Sequence, residues 1–138
     1  MTGKYQHTID SKGRLFIPAK LRDELGKVFY VTIGMDACLS MYSMESWNSF
    51  TEKFDQLPYS QSRRMRPLFA NAAKCEMDAQ GRILIPAELR RYANLKKDVL
   101  IIGVSSRAEI WNPEAYSQFE QPLMEPSALG EAMSELGF

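Results

Sequence analysis

The chain has 138 residues, and its 17 Lys and Arg balance 17 Asp and Glu to give a formal net charge of zero. A hydrophobic content of 45% with 25% charged residues is typical of a folded, water-soluble protein and excludes a disordered chain. No apolar run approaches the roughly 18 residues of a membrane helix, and the first residues lack the apolar core of a secretion signal. We therefore expect a cytoplasmic protein.

Local signals predict a regular order of elements in the first half of the chain. The first two strands and their turn are interpreted as a β-hairpin over 5–17, because turn residues separate two strand-forming runs. Pro18 suits the first position of a helix and Gly26 suits its end. The predicted order is strand 5–10, turn 11–13, strand 14–17, helix 19–25, strands 28–33 and 39–42, and a helix from about 43 to 57.

The second half repeats this order after a basic linker helix, which Pro67 is expected to kink or split. We predict a first unit over 3–58, a linker over 59–72, a second unit over 73–121 and a frayed acidic tail over 122–138. The elements predicted in the second unit are strand 73–78, turn 79–81, strand 82–85, helix 87–92, strands 99–102 and 109–111, and a helix from 113.

The strongest signal is an internal repeat. Residues 10–22 recur as residues 78–90, with eight of thirteen positions identical. The kept positions include Asp, Gly, Arg and Pro as well as apolar residues, so a backbone shape and an exposed charge recur together. A repeated core alone would need only the apolar pattern.

Each copy of the repeat predicts a rigid turn that presents an arginine. The aspartate can accept bonds from backbone donors across the turn, and the glycine permits a tight reversal. Arginine recognises guanine edges with two hydrogen bonds, and lysine commonly binds phosphate. The predicted turn-fixing residues are Asp10, Gly13, Asp78 and Gly81, and the predicted DNA-binding residues are Lys12, Arg14, Gln80 and Arg82.

The neutral net charge hides an uneven distribution. All 17 basic residues lie at or before Arg107, whereas six of the 17 acidic residues follow it, so the body of the chain carries a surplus of six positive charges. Such asymmetry favours a charged partner, although a solvated surface would give the same pattern. The late acidic residues are Glu109, Glu114, Glu120, Glu125, Glu131 and Glu135.

The doubled Asp-x-x-Gly-Arg-x-x-Ile-Pro-Ala-x-Leu-Arg segment resembles the MraZ family of bacterial regulators. The resemblance covers nearly the whole chain. It implies an α+β, mainly β fold in which two tandem AbrB-like (SpoVT-type), swapped-hairpin β-barrel units pack as a pseudo-dimer within one chain, with flanking helices. It places Asp10, Arg14, Asp78 and Arg82 at the family's signature positions.

The resemblance also implies a function and an assembly. The protein would bind double-stranded DNA at short direct repeats in its own promoter and regulate the division and cell-wall gene cluster. It would be nucleoid-associated and would form a ring of about eight subunits. No cofactor, small-molecule substrate, metal or membrane partner is expected.

Two other classes of function remain open from the residues alone. An enzyme could use Asp10 and Asp78 with His7 and Cys75, which stand three residues before them, but the two copies share no such pair. A structural ring or scaffold could bind proteins through apolar helix residues such as Trp47, Phe50 and Phe54. Both cysteines are expected to be buried or half-buried thiols. Basic residues that could touch either DNA or neighbouring subunits are Arg22, Arg90, Arg63, Arg64 and Arg66.

Overall fold

The computed structural model describes residues 1–138 and contains eight strands and seven α-helices, which confirms the α+β class. The first half comprises β1 (Lys4–Thr8), β2 (Arg14–Phe16), α1 (Ala19–Leu25), β3 (Val28–Ile33), β4 (Leu39–Ser43) and α2 (Met44–Asp55). The linker comprises α3 (Tyr59–Ser62) and α4 (Arg66–Ala70). The second half comprises β5 (Ala73–Glu76), β6 (Arg82–Leu84), α5 (Ala87–Tyr92), β7 (Asp98–Val104), β8 (Arg107–Trp111), α6 (Pro113–Glu120) and α7 (Pro126–Glu135).

The strands form one large sheet and one small ribbon, and both contain strands from each half. The large sheet is antiparallel with the order β1-β7-β8-β4-β3-β5, and the ribbon is the antiparallel pair β2-β6. The first strand of each half thus joins the sheet beside a strand of the other half. The two halves are linked by backbone pairing as well as by side-chain packing.

The predicted β-hairpin over 5–17 is wrong beyond its turn, because its two strands pair with other strands. The chain does reverse at the predicted turn, but beyond it only Ile9 and Leu15 bridge the two strands. Away from the turn, β1 pairs with β7 and β2 pairs with β6. A two-stranded hairpin with a three-residue second strand would be marginal in water. Because β2 of the first half pairs with β6 of the second, the two short strands bury Leu15 and Ile83 together in a shared core.

A core of 20 buried residues lies between the large sheet, the ribbon and the helices α1 and α5. Leu21 and Leu25 come from α1, and Leu89 comes from α5. Both helices follow a proline and have the predicted boundaries. Because the ribbon supplies Leu15 and Ile83 to this core, its inner face is fixed and its outer face is left for other contacts.

An apolar stripe on α2, formed by Trp47, Phe50 and Phe54, packs against aromatic rings elsewhere in the chain. The Trp47 ring stacks on Tyr30 with 4.5 Å between centroids, and Phe54 lies 4.3 Å from Phe69 of α4. Ser43 caps the start of this helix, because its hydroxyl accepts a hydrogen bond from the backbone N–H of Ser46 at 3.2 Å. Trp47 is buried and Phe50 and Phe54 are half-buried, so the chain itself covers much of the stripe.

Two of the late glutamates are used inside the fold. Glu109 is buried and accepts hydrogen bonds from Trp111 Nε1 and Arg107 Nε at 3.0 and 3.1 Å. Glu120 pairs with Lys4 at 2.6 Å and accepts a bond from the Tyr116 hydroxyl, and these bonds hold the pKa of Glu120 below its usual value. Two of the six late glutamates are therefore bonded to the folded body and do not belong to a free acidic tail.

The linker and the tail give one confirmed prediction and one correction. The linker helix is split as expected, because Pro67 lies in the first turn of α4 and a short 3₁₀ turn separates α4 from α3. The tail was predicted to be frayed, but residues 126–135 form α7. Leu129, Met133 and Leu136 recur at helical spacing, yet all three remain exposed.

Cys38 and Cys75 are both buried, as predicted. Burial raises the pKa of the Cys38 thiol to about 12 and that of Cys75 to about 11. Neither thiol is therefore ionised near neutral pH. None of the helices is long and apolar enough to span a membrane.

Candidate nucleic-acid interface

The first turn, residues 10–14, is held by one carboxylate. Asp10 Oδ1 accepts hydrogen bonds from the backbone N–H groups of Lys12 and Arg14, each at 2.9 Å. Its Oδ2 accepts a bond from Arg14 Nε at 2.7 Å. The Gly13 N–H donates to the Asp10 carbonyl at 3.0 Å, with Gly13 at φ +82°. One side chain thus fixes both the reversal of the backbone and the base of the arginine.

The second turn, residues 78–82, reproduces this arrangement. Asp78 Oδ1 accepts from the N–H groups of Gln80 and Arg82 at 2.9 Å each, and Oδ2 accepts from Arg82 Nε at 2.8 Å. Gly81 has φ +79° and donates to the Asp78 carbonyl at 2.9 Å. The positive φ explains why glycine stands at this point in both copies.

The same bonds set the ionisation of both carboxylates. The pKa of Asp10 is lowered from 3.8, chiefly by the Arg14 backbone N–H and further by the Arg14 side chain and the Lys12 N–H. The pKa of Asp78 is lowered in the same way by the Arg82 backbone and side chain and the Gln80 N–H. Both groups are charged at neutral pH and keep their arginines oriented.

The ribbon places the arginines of the two turns on one face. In its register Arg14 pairs with Leu84, Leu15 with Ile83 and Phe16 with Arg82. Leu15 and Ile83 point into the core, so the other four side chains share the outer face. With two residues along the strand and one strand across, the arginine Cα atoms lie about 8 Å apart. The two turns stand at opposite ends of this ribbon.

The predicted site residues differ in their exposure. Arg14 and Arg82 are partly buried by their aspartates and neighbours, with 34% and 21% of the side chain exposed. Lys12 and Gln80 are exposed on the turns, and their side chains have no hydrogen-bond partner in the chain. Arg14 and Arg82 therefore lie on the outer face of the ribbon, and Lys12 and Gln80 lie on the turns at its two ends.

Arg22 and Arg90, whose role the sequence left open, connect the halves. Each donates through Nε to the carbonyl just before its own helix, Arg22 to Ile17 at 2.8 Å and Arg90 to Ile85 at 3.0 Å. The Arg22 guanidinium then lies against Gly81, and that of Arg90 lies against Gly13. Each helix thus supports the turn of the opposite half. These arginines add positive charge directly behind both turns.

Sequence reasoning missed two apolar residues of this face. Phe16 and Leu84 are 43% and 59% exposed and lie on the outer face of the ribbon beside the two arginines. The Arg82 guanidinium carbon lies 5.8 Å from the centre of the Phe16 ring. The signal was present in the alternation Arg-Leu-Phe, since side chains two apart on a strand share a face.

The linker arginines belong to a separate element. Arg66 donates to the Tyr59 hydroxyl at 3.3 Å and lies over that ring at 5.7 Å. Arg63 and Arg64 are exposed in the 3₁₀ turn and make no ion pair. The ribbon is therefore the surface where paired arginines are held in fixed geometry.

Comparison with known proteins decides the family. A family model described as "MraZ protein, putative antitoxin-like" matches residues 1–66 and 68–134. The chain belongs to the MraZ family. A relative named "Transcriptional regulator MraZ" from Caldanaerobacter subterraneus subsp. tengcongensis is 48% identical over 124 residues, which cover 88% of this chain and 87% of the relative.

Other MraZ relatives match over almost the full length. Proteins also named "Transcriptional regulator MraZ" come from Acetivibrio thermocellus and Lachnoclostridium phytofermentans. They are 47% and 45% identical over alignments of 141 and 137 positions. Each alignment covers 98% of this chain, with 97% and 96% of the respective relatives. The relatives are named as regulators, not as enzymes.

The geometry gives an independent reason to set the enzyme hypothesis aside. Both oxygens of Asp10 and of Asp78 are engaged in holding their turns. Cys75 is buried, and its raised pKa leaves little thiolate to act as a nucleophile. The protein is therefore a member of a non-enzymatic family.

Proposed function

We propose that this chain is a DNA-binding transcriptional regulator that places the outer face of the ribbon on double-stranded DNA. The observation that carries the proposal is the pair of arginines, Arg14 and Arg82, each fixed by its own aspartate on one face. An arginine whose base is already ordered loses less conformational entropy when it binds. The regulator name of the MraZ relatives supports the same conclusion.

The dimensions of the ribbon suit the major groove. Gly13 lies opposite Ile85 and Gly81 opposite Ile17, so the two turns are about four residues apart along the ribbon, or about 13 Å. The major groove is about 12 Å wide and admits a two-stranded ribbon. Arg14 and Arg82 would reach guanine edges or phosphates, and Lys12 and Gln80 would act at the flanks.

The targets follow from the family resemblance. We propose that the protein binds short direct repeats in its own promoter, regulates the division and cell-wall gene cluster, and acts in the cytoplasm on the nucleoid. The strand exchange between the halves supports the interpretation of each chain as two AbrB-like units paired as an intrachain pseudo-dimer. The ribbon of one chain would then bind one copy of the DNA repeat.

We also propose that chains assemble into a ring, of about eight subunits by resemblance. One ribbon offers few phosphate contacts, so several copies on repeated sites would gain avidity without new contacts. The tail supports self-association, because several large apolar side chains are left uncovered there. They are Leu123, Met124, Leu129, Met133, Leu136 and Phe138.

The test is fluorescence anisotropy with a labelled duplex from the region upstream of the gene, beside a scrambled duplex, across a salt series. We expect selective binding that weakens steeply with salt, because phosphate contacts release counterions. In the double variant Arg14→Ala/Arg82→Ala, each lost contact should cost about 1–3 kcal/mol, or roughly 5- to 150-fold in affinity. Circular dichroism checks that the variant is folded.

The matched control is Lys53→Ala/Lys96→Ala, which removes the same charge from positions outside the ribbon face. It should weaken binding far less than the arginine pair. Folded wild-type protein that binds neither duplex, or both equally, would exclude the proposed recognition. Light scattering on the same samples tests the ring, and a single-chain mass together with tight binding would contradict it.

A further inference from the structure

The ribbon has an approximate two-fold axis within a single chain. Residues that correspond in the repeat, Leu15 and Ile83, pair with each other at its centre. The Ile17 N–H donates to the Gly81 carbonyl, the Ile85 N–H donates to the Gly13 carbonyl, and both distances are 2.9 Å. A face with true two-fold symmetry would fit a DNA site equally well in either direction.

The side chains break this symmetry at the turns. The first turn carries the exposed cation of Lys12, whereas the second carries the uncharged amide of Gln80. Lysine binds phosphate as a point charge, while glutamine can make two hydrogen bonds to the edge of adenine. The two ends of the ribbon therefore offer different chemistry to the two ends of a site.

The surroundings of the two arginines differ as well. Arg82 lies over the ring of Phe16, whereas the corresponding neighbour of Arg14 is Leu84, which has no ring. The Arg82 side chain is accordingly the less exposed of the two. Phe16 thus acts as a positioning residue for Arg82, and its exposed edge can meet a thymine methyl group.

We infer that the ribbon binds DNA in one fixed direction. The direction is set by the difference between Lys12 and Gln80 on the turns and between Phe16 and Leu84 on the strands. The inference rests on the proposed function and concerns how that same face recognises its site. The first turn supplies the additional phosphate contact, and the second turn supplies an arginine held more tightly and an amide for a base edge. A protomer with such polarity recognises the direction of its site, as a direct repeat requires.

The test places a DNA-cleaving probe on either turn. Ser11→Cys and Ala79→Cys introduce thiols at corresponding exposed positions, and each is coupled to an iron–EDTA reagent that cuts nearby DNA. Cys38 and Cys75 stay unlabelled because both are buried and their raised pKa keeps them protonated. The DNA is the end-labelled upstream duplex.

Fixed polarity predicts that the two probes cut opposite sides of each repeat. Cutting on both sides with equal strength from either position would overturn the inference. Anisotropy of the same labelled proteins tests DNA binding separately from its polarity. Binding with symmetric cutting overturns only the polarity, whereas absence of binding overturns the proposed function and the polarity with it.

A symmetrised variant identifies the residues responsible. Gln80→Lys/Leu84→Phe gives the second turn the side chains of the first, so the Ser11→Cys probe should then cut on both sides. The slope of log affinity against log salt should steepen by about 1 with the added lysine, and Lys12→Gln alone should reduce it by about 1. Lys96→Gln, which removes one charge outside the ribbon face, is the matched control and should leave the slope unchanged. One-sided cutting by the symmetrised protein would exclude these residues as the source of polarity.

Discussion

The first turn, at residues 10–14, and the second, at residues 78–82, hold their arginines by the same three hydrogen bonds, and corresponding distances differ by no more than 0.1 Å. Their surroundings differ more. A Cβ built on Gly81 would come within 2.3 Å of Arg22, whereas one on Gly13 would be 3.2 Å from Arg90. Phe16 accompanies only the second arginine.

This comparison separates two kinds of constraint on the same segment. The residues that shape the backbone, Asp and Gly, are identical in both copies, because the turn geometry admits few alternatives. The exposed residues, Lys12 and Gln80, are free to differ because no bond within the chain depends on their side chains. The two turns therefore keep the same shape and the same arginine but carry different exposed side chains at Lys12 and Gln80.

The largest expected loss of stability is at the paired core residues in the middle of the ribbon, between the two turns. Leu15→Ala and Ile83→Ala each empty part of the common core and should each lower the free energy of unfolding by about 2–5 kcal/mol. Urea denaturation measures the loss. Leu84→Ala is the control on the same strand, since its side chain is largely exposed, and it should cost much less. A large effect at Leu15 with none at Ile83 would contradict a shared core.

An intermediate effect should distinguish the two glycines. Gly13→Ala and Gly81→Ala both force alanine into positive φ, at a cost of about 1–2 kcal/mol each. Gly81→Ala should cost more, because Arg22 must also move away from the turn. Thermal unfolding gives the ranking. Gly130→Ala, in a helix with open space around it, should not destabilise the protein. Equal losses of stability in the two variants would show that the Arg22 side chain can move away from the turn at no cost.

The smallest effect concerns acid. The folded-state pKa of Asp10 and Asp78 is lowered, so their stabilising contribution is complete above the ordinary value of 3.8 and is lost as pH falls through the lowered value. Asp10→Asn/Asp78→Asn should flatten the fall of stability below pH 3.8. Urea denaturation at a series of pH values tests this. The wild-type protein is the reference, and an unchanged profile in the double variant would show that the two carboxylates contribute nothing to stability.

The local elements could be predicted from sequence because their signals are local. The helices after Pro18 and Pro86 have the predicted boundaries, and the split at Pro67 lies where the missing N–H requires it. Pairing could not be predicted in the same way. Whether β2 pairs with β1 or with β6 depends on residues 68 positions away, and the turn between β1 and β2 is compatible with either.

The candidate site was predictable in part for a related reason. The repeat singled out Arg14 and Arg82, but their placement on one face depends on the pairing of β2 with β6. The sequence alone does not single out Phe16, because an apolar residue in a strand is usually buried in the core. Only the register shows that its neighbour Leu15 fills the core and that Phe16 lies beside Arg82.

The exchange of strands also sets an order of events during synthesis. Lys4 pairs with Ile102, so β1 leaves the ribosome long before its partner strand exists. At 5–20 residues per second, the first strand waits roughly 5–20 s for β7. Until then, the first half carries an unsatisfied strand and an unfilled half of the core. The two copies of the repeat therefore cannot mature one after the other, and the chain becomes a folded protein only when its second half has been made.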